Sequence, residues 1–207
     1  HPSVALALNN LANLLSNSDQ GSYAEVRPLL ERSLAIWEKT FGSEHPNVAT
    51  SLNNLAHLLQ IQGSYAEARP LFERSLAISE TTLGPEHPDV ADPLSNLGNL
   101  LQAQGSYAEA RPLFERALAI NEKALGLEHP RVALALNNFA SLLKAQGSYA
   151  EARPLYEQSL RGTLNHLSLN MGSMTETERF QYLATKQGPE RLLLNLVAMR
   201  GEGPDRD

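Results

Sequence analysis

Apolar residues along this chain recur every three or four positions. Between His45 and Gly63, the residues Val48, Leu52, Leu55, Ala56 and Leu59 share one helical face. Ala68, Leu71, Phe72, Leu76 and Ile78 form the same kind of stripe in the segment that follows. "QG" at Gln62–Gly63 separates the two, and the glycine can supply the left-handed turn that ends a helix. Pro46, Pro88 and Pro130 each follow a histidine and suit the first helical position, where a missing N–H costs nothing. Ser64 and Glu67 have capping-box spacing, and Gly84 should end the second helix. The pattern predicts first helices near 46–61, 88–103 and 130–145, and second helices near 65–82, 107–124 and 149–165. Strict alternation, the mark of a strand, is absent. Pro28, Pro70, Pro112 and Pro154 lie about six residues into each second helix. An interior proline costs about 3 kcal/mol, so a small bend is expected there.

The two-helix unit repeats. "GSYAEVRPLLERSL" at Gly21 returns as "GSYAEARPLFERSL" at Gly63, "GSYAEARPLFERAL" at Gly105 and "GSYAEARPLYEQSL" at Gly147, each 42 residues after the last. About 30 of 42 residues are identical between 45–86 and 87–128, which signals an array of stacked units. The first copy carries two extra residues around Ser16–Gln20, and the fourth loses the pattern after Leu160. Asp92–Pro93 interrupts one first helix, which is expected to begin late with Asp92 as its cap. The chain opens at His1 in mid-pattern, as a piece of a longer protein would.

The residues Leu55–Ala56, Gly63, Tyr65, Ala68, Phe72 and Ser75–Leu76 resemble the tetratricopeptide repeat. The 42-residue period is similar to the long-helix subtype of kinesin light chains and many bacterial proteins. The resemblance covers residues 1–166 as four repeats. It implies an all-α, right-handed superhelical solenoid of helix-turn-helix repeats that binds partners rather than catalysing. Residues 167–200 read as C-terminal capping helices and 201–207 as a tail or linker. Thr175 and Glu178 would cap a helix to about Gln187, with Gly188–Pro189 as a turn. Phe180, Leu183, Leu192, Leu193 and Leu196 would cover the last repeat, as a terminal cap must. "TERFQYLAT" and "LLLNL" also resemble the segment that precedes a caspase-like CHAT protease domain in bacterial proteins.

Composition narrows the chemistry. Net charge is −6, and basic residues are interspersed with Glu rather than gathered in a stripe, which argues against nucleic acid. The absence of cysteine excludes disulfides, thiolate zinc sites and a cysteine nucleophile in these residues. The longest apolar run, "LLLNLVAM", is far shorter than the roughly 20 residues that span a bilayer. With no visible signal peptide, a cytoplasmic protein away from the membrane is expected. His1, His45, His87 and His129 recur once per repeat, so they read as helix-entry residues spaced along the array rather than metal ligands. No catalytic motif and no cofactor motif is present. Arg69/Glu73, Arg111/Glu115 and Arg153/Glu157 read as i,i+4 ion pairs. Trp37 reads as packing, with an anchor for a partner as the other option.

The candidate site comes from the differences between repeats two and three. Thr50/Asp92, Asn53/Ser95, His57/Asn99 and Ile61/Ala103 step by three, four and four, which is one stripe of the first helix. In the tetratricopeptide family that stripe lines the concave groove. Aligned positions give Leu6, Asn9, Asn13, Thr50, Asn53, His57, Asp92, Ser95, Asn99, Leu134, Asn137, Ser141 and Lys144. Asn-rich chemistry suits an extended peptide, because an amide both donates to and accepts from a backbone. Selected variation and drift after duplication both remain open. The recurring Asn10, Asn54, Asn96 and Asn138 read as a structural ladder to neighbouring backbone. Three functions follow: a peptide-binding scaffold, a regulatory arm of a caspase-like protease, and a self-assembly element.

Overall fold

The computed structural model describes residues 1–16 and 23–171. It divides into two units, His1–Ser106 and Tyr107–Asp207. The first holds α1 (Pro2–Ser16), α2 (Tyr23–Phe41), α3 (Pro46–Ile61), α4 (Tyr65–Leu83), a 3-10 turn (Pro88–Val90) and α5 (Ala91–Ala103). The second holds α6 (Tyr107–Leu125), α7 (Pro130–Ala145) and α8 (Tyr149–Met171). All the regular structure among the described residues is helical, as the apolar spacing predicts. In the first unit α1 packs on α2, α2 on α3, α3 on α4 and α4 on α5. In the second, α6 packs on α7 and α7 on α8.

The expected entries and exits form, by chemistry that is only partly the expected one. The rings of His45, His87 and His129 cap their helices. Nδ1 accepts from the backbone N–H of Asn47 at 3.1 Å, Asp89 at 3.2 Å and Arg131 at 3.1 Å. α3 ends in a Schellman turn, in which Ser64 N–H donates to Leu59 O at 2.9 Å and Gly63 N–H to Gln60 O at 3.0 Å. Gly63, at φ 75°, takes the left-handed conformation this turn requires. The capping box does not form: the Ser64 side chain makes no capping bond to α4. Ser64 is still the N-cap residue, its carbonyl accepting from Glu67 and Ala68 N–H, but its own N–H is spent on the preceding turn and is closed to the Glu67 carboxylate. α2, α4, α6 and α8 run unbroken through their prolines.

Asp92 is not a cap. The α-helical part of this first helix starts at Ala91, behind the 3-10 turn. Pro93, which cannot donate to a carbonyl four residues back, falls in the first turn, where no such donor is needed. α8 also differs from expectation, running to Met171 rather than ending near 165. Positive-φ glycines follow α2, α4 and α6 at Gly42, Gly84 and Gly126, whereas the next position in this series is Ser168. The helix therefore has no stop signal there. The capping helices placed over 167–200, the tail over 201–207 and the two-residue insertion around Ser16–Gln20 lie largely outside the described residues.

Apolar stripes supply the core. Val48, Leu52, Phe72 and Ile78 are buried in the first unit, and Phe114, Leu136, Leu142 and Tyr156 in the second. Each large side chain so buried contributes about 1.5–3 kcal/mol. Within the pairs, a serine clasps one helix to the other. Ser33 Oγ donates to Ala5 O and Ser75 Oγ to Ala49 O, each at 2.8 Å, and Ser159 Oγ donates to Ala133 O. The small alanine lets the helices approach closely enough for the bond. At the matching place in the third repeat stands Ala117, also buried.

Candidate functional site

The stripe predicted to bind a partner lies on α1, α3, α5 and α7, and its members differ in how they are presented. Asn13, Thr50, His57 and Asp92 are exposed; Asn53, Ser95, Asn99, Asn137, Ser141 and Lys144 are half-buried. Leu6 and Leu134 are exposed apolar members. Asn9 is buried instead, and its Nδ2 donates to Ser51 Oγ at 3.2 Å. Its position at the packed edge of α1 turns the amide inward, toward α3.

In the first unit the structure brings several of these residues together around two clefts. One, of about 300 Å³, is lined by Asn13 of α1, Tyr23 of α2 and Asn53, Asn54, His57 and Ile61 of α3. The other, of about 240 Å³, is lined by Thr50 and Asn53 of α3, Ser79 and Thr82 of α4, and Asp92 and Asn96 of α5. Asn53 belongs to both. Asn96 Nδ2 donates to Asn53 Oδ1 at 2.8 Å, so the amide between the clefts is held in one orientation. That orientation leaves the Asn53 amide as a donor and the Asn96 carbonyl as an acceptor, a pair suited to peptide backbone.

The other members have local partners. Thr50 Oγ1 donates to Pro46 O at 3.3 Å and Ser95 Oγ to Ala91 O at 2.9 Å. In the second unit Ser141 is hydrogen-bonded to the Tyr156 hydroxyl, whose pKa burial raises above the ordinary tyrosine value. Ser141 therefore serves the core as well as the surface.

The residues grouped as an asparagine ladder do not share one environment. Asn10 is exposed, Asn54 lines the first cleft, and Asn96 bonds a side chain rather than a backbone. Sequence reasoning missed Tyr23 and the α4 hydroxyls. The signal for Tyr23 was the tyrosine that opens every second helix; Ser79 and Thr82 vary between repeats and gave none. Trp37 is buried with Ala5, Val48, Leu52 and Ile78, and its ring stacks on Phe41 at 5.6 Å.

The second helices carry ion pairs on exposed side chains. Arg27, Arg69, Arg111 and Arg153 each reach the glutamate four residues on at 2.8–2.9 Å. Arg27 also bonds Glu67 at 3.1 Å, and Arg111 bonds Glu151 at 3.2 Å, so each joins one second helix to the next. These bonds raise the pKa of both guanidiniums. Glu67 and Glu151 thus have a partner-helix role where a capping role was expected. Among the described residues no group of three His, Asp or Glu could hold a metal ion, and no helix is long and apolar enough to cross a membrane.

A family model described as tetratricopeptide repeat matches residues 3–81, 48–104 and 89–164. No curated protein matches the chain. Among solved structures, it is similar to a Podosopora anserina kinesin light chain with nearly identical TPR-like repeats. Identity is 29%, coverage 100% of this chain and 99% of the other, and TM-score 0.69. A point-substituted form of that protein matches at 28% identity and TM-score 0.69, over 98% and 97% of the two chains. BtubC (BKLC) from P. vanneervenii shares the fold at 19% identity and TM-score 0.70, over 100% of this chain and 85% of its own.

Proposed function

The chain belongs to the tetratricopeptide repeat family, and from that premise we propose that it is a non-catalytic scaffold that binds an extended peptide segment of a partner protein along α1, α3 and α5. Repeats of this family serve protein–protein contact. The observation that carries the finer reading is the oriented Asn96–Asn53 amide pair between two clefts. It offers a donor and an acceptor to a strand of backbone, flanked by the exposed side chains of Asn13, His57, Thr50 and Asp92. Extended backbone presents the complementary groups in sequence. The clefts hold few charges, which disfavours recognition of a terminal carboxylate.

The test is selection of peptides from a random-sequence library, followed by affinity measurement on variants. Asn13→Ala with His57→Ala should weaken selected peptides at least tenfold while the melting temperature stays within a few degrees, since both side chains are exposed. Glu73→Ala with Glu115→Ala, on the ion-paired surface, should leave affinity unchanged. Peptides that bind the Asn13/His57 variant as tightly as the parent would overturn the reading.

A further inference from the structure

Three positions change together in successive copies of the repeat. At the first stand Trp37, Ser79 and Asn121. At the second stand Asn47, Asp89 and Arg131, and at the third Thr50, Asp92 and Leu134. Only the middle set combines a small residue with two carboxylates. Ser79, Asp89 and Asp92 line one cleft, the one of about 240 Å³ formed by α3, α4 and α5.

Trp37 shows what this place can hold. Its indole is 7% exposed and packs with Ala5 of α1 and Val48, Ala49 and Leu52 of α3. Ala49 is the counterpart of Ala5 one repeat on, and it lines the cleft beside Ser79. The chain therefore fills the place with its own side chain in one copy and leaves it open in the next. Ser79 does not reach into the opening, because its hydroxyl donates to Ser75 O at 3.0 Å. The apolar lining comes from Ala49, Leu83 and Pro93, whereas Asp89 and Asp92 are exposed and give the solvent side its charge. Lys and Arg suit such a place: the aliphatic stem lies on apolar surface and the cationic end stays at the wet edge. Carboxylates at that edge accept charge-assisted hydrogen bonds. The Asn53–Asn96 pair borders the same cleft, so backbone held by that pair carries a side chain within its reach.

We propose that this cleft is a specificity subsite of the peptide groove and takes an arginine or lysine side chain of the bound segment. The inference rests on the peptide-binding reading above. Ser79 opens the subsite by standing where Trp37 closes its counterpart, and Asp89 and Asp92 select the positive charge.

The probe is the set of peptides that the full chain selects from a random-sequence library. These should share one recurrent Arg or Lys, and replacing that residue with Gln should weaken binding about tenfold. Asp89→Asn with Asp92→Thr installs the residues of the preceding copy. It should bring the Arg and Gln forms of each peptide to within about twofold of each other, with little change in melting temperature because both side chains are exposed. Ser79→Trp should give the same loss of preference with both carboxylates in place. Ser79 is buried, so the aspartate pair decides the matter whether or not that variant folds. Asn13→Ala with His57→Ala should weaken the Arg and Gln forms alike. Peptides that depend on Asn13 and His57 but share no basic residue, or share an uncharged aromatic one, would overturn the subsite and leave the peptide-binding reading standing. A basic preference that survives the aspartate substitutions would overturn it too. Failure to select any peptide would overturn both.

Discussion

The pairs α3–α4 and α7–α8 are copies of one sequence, yet their centres are built differently. In the first, Phe72 is buried and the surface position matching Ser141 is an exposed histidine, His57. In the second, the ring is Tyr156, equally buried, and its hydroxyl is satisfied by Ser141. A surface residue and a core residue have thus changed together. The variation along the candidate binding stripe is therefore not all about a partner. At Ser141 it tracks the core, whereas at His57 the side chain has no core hydroxyl to answer.

The largest test of this comparison removes both rings. Phe72→Ala and Tyr156→Ala should each cost about 3–5 kcal/mol, the range for truncating a buried aromatic. Denaturant unfolding measures this, and a cost near zero for either would show that the two centres are not equivalent. A smaller effect comes from transplanting the hydroxyl. Phe72→Tyr should cost about 1–3 kcal/mol by burying an unpaired O–H, and His57→Ser should recover part of that loss by rebuilding the partner. Failure of the second substitution to help would break the proposed pairing of the two positions.

The smallest effect is Tyr156→Phe, about 1 kcal/mol at neutral pH. Its pH dependence is the sharper readout. The folded-state pKa of Tyr156 lies above the ordinary value of 10.0, because burial disfavours the charged form. The unfolded chain ionises first as pH rises, so this contribution is intact below about pH 10 and is lost above it, up to the folded-state pKa. Stability measured at alkaline pH should fall less steeply for Tyr156→Phe than for the parent.

Helix positions were legible in the sequence because period, proline and glycine all point the same way. The start of α3 at Pro46 and of α4 at Tyr65 could be read directly. The chemistry at the junctions was less legible, because one backbone N–H can serve only one of two patterns. Ser64 fits both a capping box and the closing residue of a Schellman turn, and only geometry decides between them. The serine clasps were hidden for a different reason: Ser75 looks like a polar interruption of an apolar stripe, and its partner is a backbone carbonyl with no sequence signature. For the candidate site, the stripe was visible from spacing, but Asn9 and Asn53 are aligned residues with unlike surroundings. Neighbouring helices set that difference.

The short link at Gln62–Ser64 has a further consequence, for folding. A chain made of near-copies risks joining a first helix to the second helix of the wrong repeat, since the faces are almost interchangeable. Among the second helices that follow a first helix, the correct partner is three residues away along the chain, while the next is farther by a whole 42-residue period. Closing the longer loop costs about 2 kcal/mol more, by the logarithmic dependence of closure entropy on length. Proximity alone therefore favours the right partner over any later second helix by more than tenfold before any side chain distinguishes the copies. A sequence that repeats itself can then fold locally, one hairpin at a time, without needing each hairpin to be unique.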